Sequence, residues 1–275
     1  MTVAISTPSP SVDRHLRLTS VLKSEWIKLR TVRSTMWTMA AMVVITVGVA
    51  ILATVTISGR WNSMSLGDRL TFDPTSVTLT GLLFGQLVIG VLGVLVMSAE
   101  YGTGTIRSTL AAIPNRPLVL ATKTAVFGAV ALVVGEVLSF AAFLVGQAFL
   151  RSPAPHATLS QPGVLRAVVG GGLMIAVLGL FALGLATIIR HTAGAITAFV
   201  GTLLVLPLLV QALPSSIGNP IAKYLPLHIS ETMTSVRPAL GQSSALSPWV
   251  GFAVLCAYAI GALVIGGVLM ARRDA

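Results

Sequence analysis

Charge is scarce in this sequence. Of its 275 residues, 18 are Lys or Arg and 8 are Asp or Glu, 9% of the chain, against roughly 25% in soluble domains. So few charges cannot cover a water-soluble domain of this length. The apolar residues, 55% of the total, gather in blocks of about 20, the length that the hydrocarbon core of a bilayer requires. Cysteine is nearly missing as well: Cys256 is the single one, lies in an apolar block and reads as a small packing residue, and an intramolecular disulfide is excluded. With only three Tyr, no basic run is interleaved with aromatics, so the net charge of +10 lacks a nucleic-acid footprint. No Gly is followed directly by Lys, which excludes the Gly-Lys-Ser/Thr of a standard P-loop. The histidines His15, His156, His191 and His228 fall in different loops without ligand spacing, so no metal is expected. Ser, His and acidic residues converge on no common membrane face, and no catalytic residue is assigned.

What remains is an all-α, polytopic membrane protein. Six blocks, Met36–Ile57, Val77–Ser98, Thr124–Leu150, Val164–Ile189, Ala193–Leu213 and Trp249–Met270, are expected to be transmembrane helices, because in lipid the backbone must pair its own polar groups. The first follows a polar, basic lead and reads as an uncleaved anchor, being longer than a signal core. With the N-terminus inside, Arg14, Arg17, Lys23, Lys28, Arg30, Arg33, Arg107, Arg116, Lys123, Arg190, Arg272 and Arg273 are cytoplasmic. Arg60, Arg69, Arg151, Arg166, Lys223 and Arg237 are outside. The basic excess therefore lies inside, opposite an anionic leaflet, and both ends are expected in the cytoplasm.

Residues 1–17 are expected to be a disordered cytoplasmic tail, and 18–275 a single transmembrane domain with spans from about 36 to 270. Leu18, Leu22, Trp26 and Leu29 recur at helical spacing among Lys23, Lys28, Arg30 and Arg33. This predicts an interfacial helix over 18–34, in contact with membrane lipid. The segment Pro214–Pro248 carries five prolines yet apolar pieces such as Ile217–Leu227. It fits either a broken or re-entrant pair of short helices on the outer side or an ordinary extracellular loop. Pro207 is expected to kink the fifth span. Gly81 and Gly85 form a small-xxx-small motif whose default role is packing within the subunit, and Gly170-Gly171-Gly172 is expected to loosen the fourth span.

The most informative stretch joins the second and third spans: Glu100-Tyr101-Gly102-Thr103-Gly104-Thr105-Ile106-Arg107-Ser108-Thr109-Leu110, then Pro114 and Arg116. Glu100 lies just past an apolar span, the glycines allow a sharp turn, and Thr105 is a plausible N-cap for a short helix Ile106–Ala112. Pro114 and Pro117 are expected to end it. The outcome would be a compact helix against the inner membrane face, between two rigid spans.

This stretch resembles the coupling-helix signature of the type-2 ABC transporter permeases, in which a Glu near the end of the second span precedes Gly-Thr and an apolar residue. Ser24 to Arg30, Ser-Glu-Trp-Ile-Lys-Leu-Arg, is similar to the family's elbow before the first span. The likeness covers the six-span layout but only these two stretches in residues. It implies the membrane-spanning subunit of an ATP-driven exporter in a bacterial plasma membrane, paired with a second permease subunit, identical or not. Cytosolic ABC ATPase subunits would hold the ATP and Mg; this chain itself would bind no cofactor. Glu100, Tyr101, Gly104, Thr105, Ile106, Arg107 and Leu110 would form the coupling surface, and Arg107 is placed to meet an acidic patch on the ATPase.

Glu136 falls in the middle of the third span, where a carboxylate is costly and must face protein or water. It reads as a substrate or proton contact, with Gln86 and Gln147 as candidate polar neighbours along a substrate path, or as a hydrogen-bonding group without further role. The nearly charge-free spans favour an apolar or amphipathic cargo. Two other readings stand beside export: a proton-coupled secondary transporter using Glu136, and a non-transporting scaffold or sensor.

Overall fold

The computed structural model describes residues 10–31, 33–112, 115–237 and 245–272. Those residues are mainly helical, with no strand among them. Six helices are long and apolar enough to cross a membrane: Thr35–Ser63, Pro74–Gly102, Arg116–Phe149, Val164–Ile189, Thr192–Gln211 and Pro248–Arg272. A chain of this composition closes its backbone hydrogen bonds within helices, as the bilayer demands.

The chain enters through α1 (Pro10–Thr31). The described part of this helix begins at Pro10, ahead of the expected Leu18, and takes in residues 10–17 of the expected tail. The rest of the expected tail lies outside the described residues. The first span is α2 (Arg33–Arg60), followed by the short α3 (Leu66–Leu70). The second is broken into α4 (Pro74–Leu79) and α5 (Leu82–Gly102). At the break, a Cβ on Gly81 would lie 2.1 Å from the Thr46 carbonyl oxygen of α2, so the absent side chain lets the two backbones touch. The small-xxx-small motif thus packs inside the chain.

After α6 (Thr105–Ala112) comes α7 (Arg116–Phe149). It starts eight residues before the expected Thr124. Asn115 caps it, its side chain accepting from the Leu118 N–H at 3.2 Å, and Pro117 sits in its first turn rather than ending α6. Pro114 lies outside the described residues. The fourth span, α8 (Val164–Ile189), has the expected bounds. It is the hub, packed on α5, α7 and the last span. Gly170, Gly171 and Gly172 do not loosen it: the helix is continuous and all three are buried.

The fifth span joins α9 (Thr192–Val200) to α10 (Leu206–Gln211) through a π-helical turn, Gly201–Val205. There the Leu206 N–H reaches the Gly201 carbonyl, five residues back. Pro207 donates no hydrogen bond and crowds the carbonyl four residues earlier; the wider turn is how this helix accommodates it. The Pro-rich segment folds as two short helices, α11 (Ser215–Ala222) and α12 (Pro226–Thr234), of which α12 packs on α4, α8 and the last span. The sixth span is α13 (Pro248–Arg272).

Small residues set the crossings. Between α5 and α8, a Cβ on Gly93 would lie 2.4 Å from the Gly179 oxygen; between α7 and α8, one on Gly135 would lie 2.6 Å from the Gly172 oxygen. Without a hydrophobic force between helices in lipid, such close packing is what holds them together. Gly93→Val should therefore cost about 1–3 kcal/mol, as overpacked sites do, and lower the melting temperature in detergent. The same change at Gly48, whose added Cβ meets nothing within 4 Å, should leave it unmoved.

Candidate functional site

The end of the bundle at which α5 hands over to α6 gathers most of the buried charge. Glu25 of α1, Glu100 of α5 and Lys123 of α7 are 4%, 8% and 2% exposed. The Lys123 ammonium donates to Glu25 Oε2 at 2.7 Å and to Glu100 Oε1 at 2.9 Å. Lys28, whose side chain is half-exposed, donates to Glu25 Oε1 and to Glu100 Oε1, both at 2.8 Å. Two acids and two bases thus tie three helices that are far apart in sequence. Glu100 Oε2 is buried with no hydrogen-bond partner among the described residues.

Charge balance makes this cluster tolerable in a poorly solvated place, where an unpaired ion would be costly. Burial pulls the Lys28 ammonium down, but hydrogen bonds and attraction from Glu100 and Glu25 outweigh it and hold Lys28 above its ordinary value of 10.5. A raised base contributes its stability below the unfolded value and loses it as pH rises through the folded one. The Lys28 contribution is therefore complete at neutral pH and fails only in strong alkali.

The handover itself follows from local chemistry. Thr103 closes α5, its N–H donating to the Ala99 carbonyl at 3.0 Å while the Gly104 N–H donates to the Tyr101 carbonyl at 3.3 Å, and Gly104 adopts φ +71°, a conformation glycine reaches without strain. The helix α6 begins at Thr105, one residue before the expected start, and is helical through Ala112, after which residues 113 and 114 lie outside the described residues. Ile106 is 2% exposed and anchors α6 in the core, with Leu110 packed beside it. Thr105 and Ser108 are exposed. Arg107 belongs to the same helix; its side chain lies outside the described residues. Tyr101 lies under the Arg190 guanidinium, 5.2 Å from the ring centre. Arg190 also donates to the Leu269 carbonyl at 3.2 Å, and Arg116 to the Met270 carbonyl at 3.0 Å. Two arginines thereby cap the carbonyl end of α13, a favourable place for cations. Beside the cluster, a cleft of about 510 Å³ opens between α1, α2, α5 and α6, bordered by Lys28, Thr38, Ala99, Glu100, Thr103 and Ser108.

The interfacial stripe is partly redrawn. Leu22 and Leu29 are half-buried, Val21 and Glu25 face the protein, and Trp26 is 51% exposed beside Ile27 at 48%. The side chain of Leu18 lies outside the described residues.

The expected substrate-path residues are not brought together. Glu136 is half-buried against α8, where a Cβ on Gly172 would lie 2.6 Å from its carboxyl carbon, and its Oε2 has no partner among the described residues. The Gln147 amide instead joins the Pro74 carbonyl (3.1 Å) to the Ala157 N–H (2.9 Å). The Gln86 amide donates to the Ser230 hydroxyl of α12.

Sequence reasoning missed Glu25, Lys28 and Lys123 as a unit. One signal was present: Glu25 follows Leu22 by three residues and precedes Leu29 by four, so it lies on the apolar stripe itself, where a carboxylate withdrawn from water calls for a base as partner. Lys123 carried no comparable sign, because its partners come from elements that only the fold brings near.

Comparison with known protein families finds no family model that the chain matches, and comparison with curated proteins finds no match.

Proposed function

We propose that this chain is the membrane-spanning permease subunit of an ATP-driven ABC exporter, coupled through α6 to a separate cytosolic ATPase. The observation that carries the reading is the bracing of α6. It is a short helix between two long spans, and the residue five positions before it, Glu100, is locked to α1 and α7 by buried ion pairs. A force applied to such a helix is passed to α1, α5 and α7 together rather than lost in a loop. The exposed Thr105 and Ser108, with Arg107, would meet the ATPase, which holds the ATP and Mg. ATP binding favours one arrangement of a permease pair and hydrolysis releases it. The exposed apolar residues of α2, α10 and α13, among them Val44, Leu52, Leu208 and Val264, supply faces for lipid and for the second permease subunit. In this reading both ends lie in the cytoplasm of a bacterial cell, and Trp26 with Ile27 rests in the inner interface.

The proton-coupled alternative depends on Glu136. A relay needs successive partners, and Gln86 and Gln147 are engaged elsewhere, so the export reading has the better physical support.

Co-purification from mild detergent tests it. A cytosolic ATPase should accompany the tagged wild type and be lost with Arg107→Glu, while the variant keeps its elution volume and melting temperature. Wild type that arrives folded without an ATPase would sink the proposal.

A further inference from the structure

At the opposite end of α5 lies a second cleft, of about 400 Å³, between α4, α5 and α12. Gln86 and Glu100 are 14 positions apart in α5, so the two ends are separated by about 21 Å along the helix axis. The volume falls in the range of small-molecule sites. One wall is apolar, from Leu79, Leu82, Leu83 and Leu227. The polar wall is rich in acceptors, and apart from Ser230, which accepts from Gln86, its hydroxyls in Ser76, Thr80, Thr234 and Ser235 have their donors spent.

Gln86 is 1% exposed. Its amide nitrogen donates to the Ser230 hydroxyl, while its Oε1 is buried and receives nothing from the described residues. The hydroxyls of Ser76, Thr80, Thr234 and Ser235 all donate to backbone carbonyls, at 3.1, 3.0, 2.9 and 3.4 Å, which leaves their lone pairs open. Asp73 is saturated, capping α4 through the Thr75 and Ser76 N–H groups and holding the Val236 and Arg237 N–H groups. Arg237, the only base among the lining residues, spends its guanidinium on the Leu70 and Phe72 carbonyls at 3.4 and 3.0 Å. Glu231 is exposed and makes no ion pair among the described residues. Behind this wall Arg166 donates to the Met233 and Ser235 carbonyls at 2.9 and 2.7 Å and sets its charge against Asp73, so the acid left to face the cleft is the exposed Glu231.

A site of this kind has hydrogen-bond acceptors and one exposed carboxylate, Glu231, to offer, and an apolar wall beside them. Its complement is a donor-rich cation carried on an apolar body. We propose that the cleft binds the ammonium group of an amphipathic amine, Glu231 serving as counter-ion and Gln86 Oε1 as acceptor, with the apolar portion against Leu79, Leu82, Leu83 and Leu227. As a statement of cargo class it rests on the export reading; as a binding site it does not.

The experiment is equilibrium binding of monodansylcadaverine, a fluorescent amphipathic primary amine, to the full chain purified in detergent with no ATPase present. Its N-acetyl derivative, which has the same body without the ammonium, is the control. The expected result is saturable binding of the amine only, weakened at least about tenfold by Gln86→Leu and by Glu231→Gln, as for loss of a charge-assisted contact. Glu231→Gln is isosteric and exposed, so it keeps the fold even if Gln86→Leu does not. Equal binding of the N-acetyl derivative, binding unchanged by Glu231→Gln, or no saturable binding to folded wild type would each overturn the inference. ATPase co-purification, scored separately, keeps failure here distinct from failure of the export reading.

Discussion

Lys123→Ala should be among the most damaging single substitutions in this chain. The ammonium it removes is 2% exposed and is held by two carboxylates, Glu25 and Glu100, that are themselves buried. Their negative charges would be left with only the half-exposed Lys28. Breaking a buried ion pair from one side costs about 3–5 kcal/mol, a large part of an ordinary stability of roughly 5–15 kcal/mol. The measurement is thermal unfolding in detergent, read by the loss of monodisperse protein. The companion variant decides the cause. Glu25→Gln, Lys123→Met and Glu100→Gln combined remove three charges while keeping side-chain volume. They should recover most of the lost stability, since well-packed neutral groups replace buried ion pairs at little cost. If the triple variant falls as far as Lys123→Ala, the cluster matters for packing rather than for charge. Under the proposed export function coupling is a separate readout: if the charges themselves carry force from α6, the stable triple variant should still bind the proposed ATPase partner yet lose stimulation of its hydrolysis.

Topology should give an all-or-none result. In a chain with Cys256→Ala, Ser160→Cys in the loop between α7 and α8 should react with a membrane-impermeant maleimide in intact cells. Ser108→Cys in α6 should react only after permeabilisation. Both serines are exposed, so access depends on the side of the membrane and not on burial. The physical basis is the two-to-one excess of Lys and Arg in the segments on the α6 side, which orients helical membrane proteins. Reaction of Ser108→Cys in intact cells would invert the orientation. It would remove a cytosolic ATPase from reach of α6 and end the export reading as stated.

The sequence by itself determined the number and most of the positions of the apolar helices. Length and hydropathy are local properties, and lipid leaves the backbone no other way to pair its polar groups. The bounds of α8 were legible for the same reason: Gly163 and Arg190, with the polar stretches beside them, break the chain where they stand. Three things were decided only in the tertiary structure. Glu25, Lys28, Glu100 and Lys123 became one cluster because packing of α1 and α7 on α5 brought together charges 98 and 72 positions apart. The fifth span absorbed Pro207 through a π turn, a choice between two backbone solutions that the presence of proline alone does not make. Gln86 found Ser230 rather than Glu136, because α12 folds back over the start of α5, and the side of a helix that a polar group faces is set by its neighbours, not by its own sequence.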